Sequence, residues 1–324
     1  MWVQTVGVNE PAVLALDIGG TKIAAALVDA AGEVTRRLEV PAPAAPAGEA
    51  ERLWSAVLGL LDEVVDGRDP IAVGVGCGGP LRLDVGEVSP VNIPAWRGFP
   101  LVARIGARFP GLDVRLHNDA VAMALGEHRH GAGQGTSSFM GVVVSTGVGA
   151  GVVIDGRPLD GPTGNAGHIG HVVVDADGPP CGCGGIGCLE AIARGPAVVA
   201  AALADGWVPA SDRPDGRELV AAAQAGDGVA RAAIERAGRA VGVALASAAH
   251  LLELQRIAVG GGFALGAGEL LFGPARETFA RHARMDYAAA CEIVPAALGT
   301  DAGLVGAAAL VRVPNAEQQV AARA

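Results

Sequence analysis

The chain has 324 residues, a length that points to two domains more than to one. Hydrophobic residues make up 51% and aromatics only 3%, so the core has to be assembled from Ala, Val, Leu and Ile. A net charge of −10 with no basic block argues against a nucleic-acid partner, and no apolar run reaches the length of a membrane span.

In chain order, the N-terminal MWVQTVGVNEP has no basic start followed by an apolar stretch, so no secretory leader is expected. The apolar run 12–17 predicts a strand that ends at Ile18-Gly19-Gly20-Thr21-Lys22. A second apolar run over 23–29 and an alternating segment over 33–40 complete a β-meander whose first turn is rich in glycine. After a Pro/Ala loop at 41–46, Leu53, Val57, Leu60, Leu61 and Val64 share one face of a helix predicted over 49–66. A short buried strand over 71–76 ends in Gly76-Cys77-Gly78-Gly79-Pro80. Another, over 113–117, ends at Asn118-Asp119 and leads into a helix from about 120 to 128. The opening pattern then returns: an apolar run over 139–145, a Thr146-Gly147-Val148-Gly149 turn, a further apolar run over 150–154 and an Asp155-Gly156 hairpin turn. This internal repeat, once in each half, suggests two related domains facing each other. Beyond it the sequence predicts a long Ala-rich helix over 228–254 and a strand over 256–259 that stops at Gly260-Gly261-Gly262. A last Ala-rich helix over 301–311 and a frayed tail over 318–324 complete the chain.

The stretch 161–190, GPTGNAGHIGHVVVDADGPPCGCGGIGCLE, concentrates chemistry. His168 and His171 lie three apart, Cys181, Cys183 and Cys188 follow, and Glu190 comes directly after. One His and three Cys suffice for a closed tetrahedral zinc site, which is usually structural. Such a site leaves an imidazole and a carboxylate beside it for a polar ligand. Three of five cysteines crowded into one loop suit metal binding in a reducing compartment better than a disulfide framework, so the expected setting is cytoplasmic.

Asp17 to Lys22 between two strands presents glycine backbone N–H groups and the Thr21 hydroxyl to an anion, and Asp17 at a strand end suits a Mg²⁺ held through water. One such turn reads as an ordinary hairpin. Its echo at 145–149 suggests a pair gripping a nucleotide's phosphates, with Gly260-Gly261-Gly262 as a third backbone surface fitting an adenine or ribose. Neither turn has the spacing of a Walker A loop or of a dinucleotide-binding turn. Asp119 reads equally as a helix N-cap and as a base for a sugar hydroxyl.

With DIGGTK, NDA, STGVGAG, AGHIGH, CGCGGIGCLE and VGGG in this order, the chain resembles the ROK family of sugar kinases and repressors over about residues 13–310. The resemblance implies an α/β, actin-like (ribonuclease H-like) fold with two duplicated domains and an interdomain cleft. The implied domains are a small one over 1–117, with a C-terminal helix over 302–324 packing back on it, and a large one over 118–301 that carries a zinc-binding loop. It implies transfer of the γ-phosphate of ATP to a hexose hydroxyl, usually the 6-hydroxyl, with Mg²⁺. Carried over by match, Asp119 is the general base. Gly79, Asn92, Asn118, Asp119, His168, His171 and Glu190 are sugar-site residues. Asp17, Gly19, Gly20, Thr21, Lys22, Thr146, Gly147, Gly261 and Gly262 face the nucleotide. His171, Cys181, Cys183 and Cys188 hold a structural Zn²⁺. A homodimer follows from family habit.

One departure bears on the sugar. Where most ROK glucokinases carry Glu-x-Gly-His, this chain has His168-Ile169-Gly170-His171. In that motif, in the DxxGPxCGCG run and in Ser145 it resembles bacterial N-acetylmannosamine kinases. The loop Val91 to Trp96 is closer to ordinary family hexokinases, which keeps glucose as the alternative. A sugar-responsive repressor would carry a helix-turn-helix ahead of the first phosphate motif, and sixteen residues before Asp17 are too few for one. A non-catalytic sugar-binding sensor is the remaining class, and the intact DIGGTK and NDA motifs argue against it.

Overall fold

The computed structural model describes residues 11–19, 22–42, 46 and 48–312. Gly20, Thr21, the segment 1–10 in which no leader was expected and the tail expected over 318–324 lie outside the described residues. The chain divides into two compact units: Met1–Gly126 with Asp160–Asn165 and Thr300–Ala324, and Glu127–Leu159 with Ala166–Gly299. The division expected at 117/118 falls inside the first unit, and the break comes at Gly126/Glu127, within a helix.

In the first unit, β1 (Val13–Ile18), β2 (Lys22–Val28) and β3 (Val34–Pro41) form the antiparallel meander. Helix α1 (Ala50–Val65) follows, then β4 (Ala72–Cys77), a small hairpin of β5 (Leu81–Arg82) and β6 (Glu87–Val88), α2 (Leu101–Arg108) and β7 (Asp113–Asn118). Strands β4 and β7 join in parallel, giving the order β3-β2-β1-β4-β7. Two-residue alternation along β1 sorts its side chains. Leu14, Leu16 and Ile18 join the core built with Leu53, Val57 and Leu61 of α1, Ile105 of α2 and Trp96 of the loop before α2. Val13 and Ala15 point the other way, onto Leu304, Ala307 and Ala308 of the last helix, Ala302–Leu310. The small residues on that face let the helix backbone come close to the sheet.

In the second unit, β8 (Ser138–Val144), β9 (Val148–Ile154) and the short β10 (Arg157–Pro158) are antiparallel neighbours. Strand β11 (Arg256–Gly260) pairs with β8 in parallel, and β12 (Glu292–Pro295) with β11. The order β10-β9-β8-β11-β12 repeats the layout of the first sheet. The core behind this sheet is largely Ala, Val and Leu. The long helix Gly228–Leu252 starts where the Asp227 carboxylate accepts the Ala230 N–H (2.8 Å). It stops two residues short of the expected 254, because Glu253 turns left-handed with φ 49°. Two sheets of one layout, one per unit, are the duplicated arrangement of the actin-like fold.

The helix Asp119–His130 carries the chain from the first unit into the second. Glu127, its fully buried carboxylate, accepts backbone N–H groups from Ala132 (2.8 Å), Ala297 (3.0 Å) and Leu298 (2.8 Å). A buried charge needs this degree of satisfaction to be tolerated.

Candidate active site

Asp17 stands near the end of β1, and Asp119 directly follows β7. Strand β4 runs between them, with Gly76 opposite both Asp17 and His117. A Cβ on Gly76 would stand 3.7 Å from Asp17 Oδ1 and 3.6 Å from the Asp119 Cα. The two carboxylates therefore gather at the carboxyl ends of parallel strands, where open α/β sheets bind ligands. Burial, and after it the charge of Asp119, raises the Asp17 pKa from 3.8 to about 7, against the opposing pull of Lys22 and Arg37. Burial and the same two carboxylates also push the Cys77 thiol up. Gly303 makes room for Asp17: a Cβ there would lie 2.5 Å from Asp17 Oδ2. A crowded carboxylate pair of this kind is relieved by a divalent cation, so the donors fit Mg²⁺.

Around this pair, the Gly19 N–H closes the β1–β2 turn on the Lys22 carbonyl (3.0 Å). The Lys22 ammonium lies 3.3 Å from Glu39 on β3, an exposed ion pair. Gly79 and Asn92 are brought near each other in the chain's fold, since Val91 N–H donates to the Gly79 carbonyl (3.1 Å) and Asn92 is the next residue, exposed. Asn118 is buried, and its Oδ1 (3.0 Å) and Asp119 Oδ1 (2.9 Å) both accept the Ala120 N–H. The helix start is thus capped by the Asn118-Asp119 pair together.

The second unit repeats the turn. Ser145 N–H closes on the Gly147 carbonyl (2.9 Å), with Thr146 exposed at its tip. Beside it, Gly261 has φ 93° and passes so close to β8 that a Cβ would sit 2.5 Å from the Val144 carbonyl oxygen. Gly262 then opens the short helix Gly262–Ala267. Glu190 lies in the helix Leu189–Ala193 and is linked to the turn: its Oε2 accepts the Val148 N–H (3.0 Å). The rings of His168 and His171 lie nearly parallel, 10° apart in plane, with centroids separated by 6.2 Å. A cavity of about 630 Å³, lined among others by Ser137, Gln255 and Tyr287, is at the opposite end of this sheet, away from the glycine turns.

His171, Cys181, Cys183 and Cys188 each turn a ligand atom inward, and the four atoms lie within 4.8 Å of one another. Cys183 Sγ and Cys188 Sγ are 3.7 Å apart, and Cys181 Sγ is 3.8 Å from His171 Nδ1. Ligands at the usual zinc distances around a tetrahedral centre sit roughly 3.5–3.8 Å apart. The loop is folded by its own backbone: Cys181 N–H to the Gly185 carbonyl (2.8 Å), Gly184 N–H back to Cys181 (2.9 Å), Leu189 N–H to Val172 (2.9 Å). The donor set and its spacing fit Zn²⁺, and His171 leaves Nε2 for another partner.

Two residues escaped the sequence reading. His117 is 5% exposed and places Nε2 2.8 Å from Asp160 Oδ1, while Asn118 N–H donates to its Nδ1 (2.8 Å). Only the position of His117 next to Asn118-Asp119 offered a signal in the sequence. Asp160, in the first unit with His117, offered none.

The ROK family model matches residues 13–313. A glucokinase from Thermotoga maritima is 33% identical over 312 residues, covering 92% of this chain and 96% of that protein. An N-acetylmannosamine kinase from Haemophilus influenzae is 36% identical over 302 residues, covering 92% and 95%. Among solved structures, a ROK family glucokinase from Streptomyces griseus in complex with glucose and AMPPNP superposes with a TM-score of 0.80 at 35% identity, covering 93% of this chain and 99% of that one. The fold is therefore that of the actin-like sugar kinases. The chain belongs to the ROK family.

Proposed function

We propose that this hexose kinase of the ROK family transfers the γ-phosphoryl group of ATP to the 6-hydroxyl of N-acetylmannosamine. The observation that carries the sugar assignment is His168, an imidazole where most ROK glucokinases have a carboxylate. A neutral imidazole offers one donor and one acceptor, whereas a carboxylate only accepts, so the two meet different hydroxyl sets. Relatives of both specificities match at similar identity. Glucose is the second reading, favoured by the Val91-Asn92-Ile93-Pro94-Ala95-Trp96 loop.

In this reading Asp119 takes the proton of the attacking hydroxyl, and Gly79, Asn92, Asn118, His168, His171 and Glu190 orient the sugar. Gly19, Gly20, Thr21 and Lys22, with Thr146 and Gly147, bind the phosphates in this reading. Gly261 and Gly262 lie against the nucleoside. Asp17 would hold a Mg²⁺ through water, and the ion would supply charge neutralisation for the transferring phosphoryl group. Phosphoryl transfer then depends on positioning and charge stabilisation more than on covalent chemistry. His171, Cys181, Cys183 and Cys188 would hold a structural Zn²⁺, which would brace the loop that carries His168 and Glu190. Among the described residues no helix is long and apolar enough to cross a membrane. The reading includes a cytoplasmic setting, a homodimer and no nucleic-acid partner.

Asp119→Asn tests the mechanism. The variant keeps the helix-start hydrogen bond and cannot accept the proton, so turnover should drop by roughly two to four orders of magnitude with sugar binding retained. Turnover near the wild-type rate would assign the base elsewhere.

A further inference from the structure

We propose that His117 and Asp160 form a positioning pair that sets the orientation of the base Asp119. The proposal rests on the kinase reading above.

The hydrogen bonds define the imidazole. The Asn118 backbone N–H points at His117 Nδ1 (2.8 Å), so this nitrogen accepts and carries no proton. The ring proton then sits on Nε2, which donates to Asp160 Oδ1 at 2.8 Å. A carboxylate that holds the other ring nitrogen of a histidine fixes its tautomer and its plane. The acceptor side of this histidine is spent on the peptide that joins His117 to Asn118, one residue before Asp119. Asn118 Oδ1 and Asp119 Oδ1 in turn share the Ala120 N–H. An unbroken line of hydrogen bonds thus runs from Asp160 through the imidazole to the backbone that carries the base.

The two partners differ in burial. The His117 side chain is 6% exposed, and that of Asp160 is 51% exposed. A hydrogen bond to so open a carboxylate adds little to stability. Its value lies in direction: a buried imidazole has two ring flips and two tautomers, and Asp160 selects one combination. Asp160 is itself held, because its segment Asp160–Asn165 packs with the first unit and ends where Asn165 Nδ2 donates to the Leu81 carbonyl (3.4 Å). A base displaced by up to about an ångström can lose roughly one to two orders of magnitude in rate.

The test uses the full chain with ATP and whichever hexose the wild type phosphorylates fastest. Asp160→Ala, at an exposed position that leaves folding intact, should lower kcat about tenfold with KM for ATP within about twofold. Asp160→Asn keeps an oxygen to accept the Nε2 proton and should recover most of that loss. His117→Gln keeps a donor toward Asp160 but has no acceptor at the Nδ1 position that takes the Asn118 amide, and should resemble Asp160→Ala. Nitrogen NMR of ¹⁵N-histidine-labelled protein, with the His117 signal assigned by its loss in His117→Gln, should show the Nε2–H tautomer in the wild type. An Nδ1–H tautomer overturns the proposal whatever the activity. So does Asp160→Ala with wild-type kcat, or Asp160→Asn as slow as Asp160→Ala. A wild type that phosphorylates no hexose instead refutes the kinase reading, and the tautomer then decides the pair alone.

Discussion

Asp17 makes the first unit sensitive to pH in a direction opposite to that of an ordinary ion-paired carboxylate. Burial and the Asp119 charge raise its pKa from 3.8 to about 7. Between these values the folded chain holds a proton on Asp17 that the unfolded chain has released. Stability from this group is therefore full below about pH 4 and is lost as pH rises through 7. At about 1.4 kcal/mol per tenfold change, the loss is on the order of 4 kcal/mol by pH 8. Asp17→Asn has nearly the same shape, fits beside Gly303 and carries no charge, so it lacks this fall. Urea unfolding of the wild type and Asp17→Asn at pH 5 and pH 8, in chelator and without nucleotide, isolates the effect by difference. The variant should gain roughly 2–3 kcal/mol on the wild type between the two pH values, since about two of the three pH units of loss fall in that window, while losing catalytic activity. Asp119→Asn should reproduce the smaller part of the gain, since Asp119 is the second cause of the shift. A wild-type-minus-variant difference that is equal at both pH values, within about 1 kcal/mol, would show that Asp17 is not held in a charge-averse site.

The metal, the second unit's buried carboxylate and the sugar motif each give a further expectation. Protein purified without added zinc should contain about one zinc per chain, and Cys183→Ser should lose it together with stability, read by metal analysis and thermal melting; a metal-free wild type of normal stability contradicts this. Glu127→Ala removes the acceptor for three backbone N–H groups in a fully buried place and should destabilise by roughly 3–5 kcal/mol, read by denaturant unfolding; a change under about 1 kcal/mol contradicts it. His168→Glu should shift the ratio of catalytic efficiencies toward glucose by about tenfold or more, the scale of one exchanged hydrogen-bonding group; an unchanged ratio removes His168 from specificity.

Much of the fold was legible because it is written in short-range periodicity. Leu14, Leu16 and Ile18 alternate with Val13 and Ala15, and Leu53, Val57, Leu60, Leu61 and Val64 recur at helical spacing, so β1 and α1 stand where the sequence placed them. The repeat of strand, glycine turn and strand became two sheets of one layout. Strand β12 was missed: its four residues, Glu-Ile-Val-Pro, are too short and mixed for any period to show. The helix Gly195–Ala204 was missed because its Ala and Val residues are apolar on every side. The cluster of His171, Cys181, Cys183 and Cys188 was legible because cysteines are dense there and rare elsewhere. Asp17 and Asp119 are a different case. Each was singled out by its motif, but their nearness depends on β4 lying between β1 and β7, a pairing that no local signal encodes. His117 and Asp160 are 43 positions apart and meet only through tertiary packing.

The chain is a hexose kinase of the ROK family, and an N-acyl hexosamine is its proposed preferred substrate. A coupled assay of ATP consumption across N-acetylmannosamine, N-acetylglucosamine, glucose, mannose and fructose tests it directly. The account predicts the highest kcat/KM on N-acetylmannosamine, with loss of turnover in Asp119→Asn. A strong preference for glucose would reject the aminosugar assignment and leave the kinase standing. Sugar binding without ATP consumption on any of the five would contradict the central claim and return the chain to the sensor class.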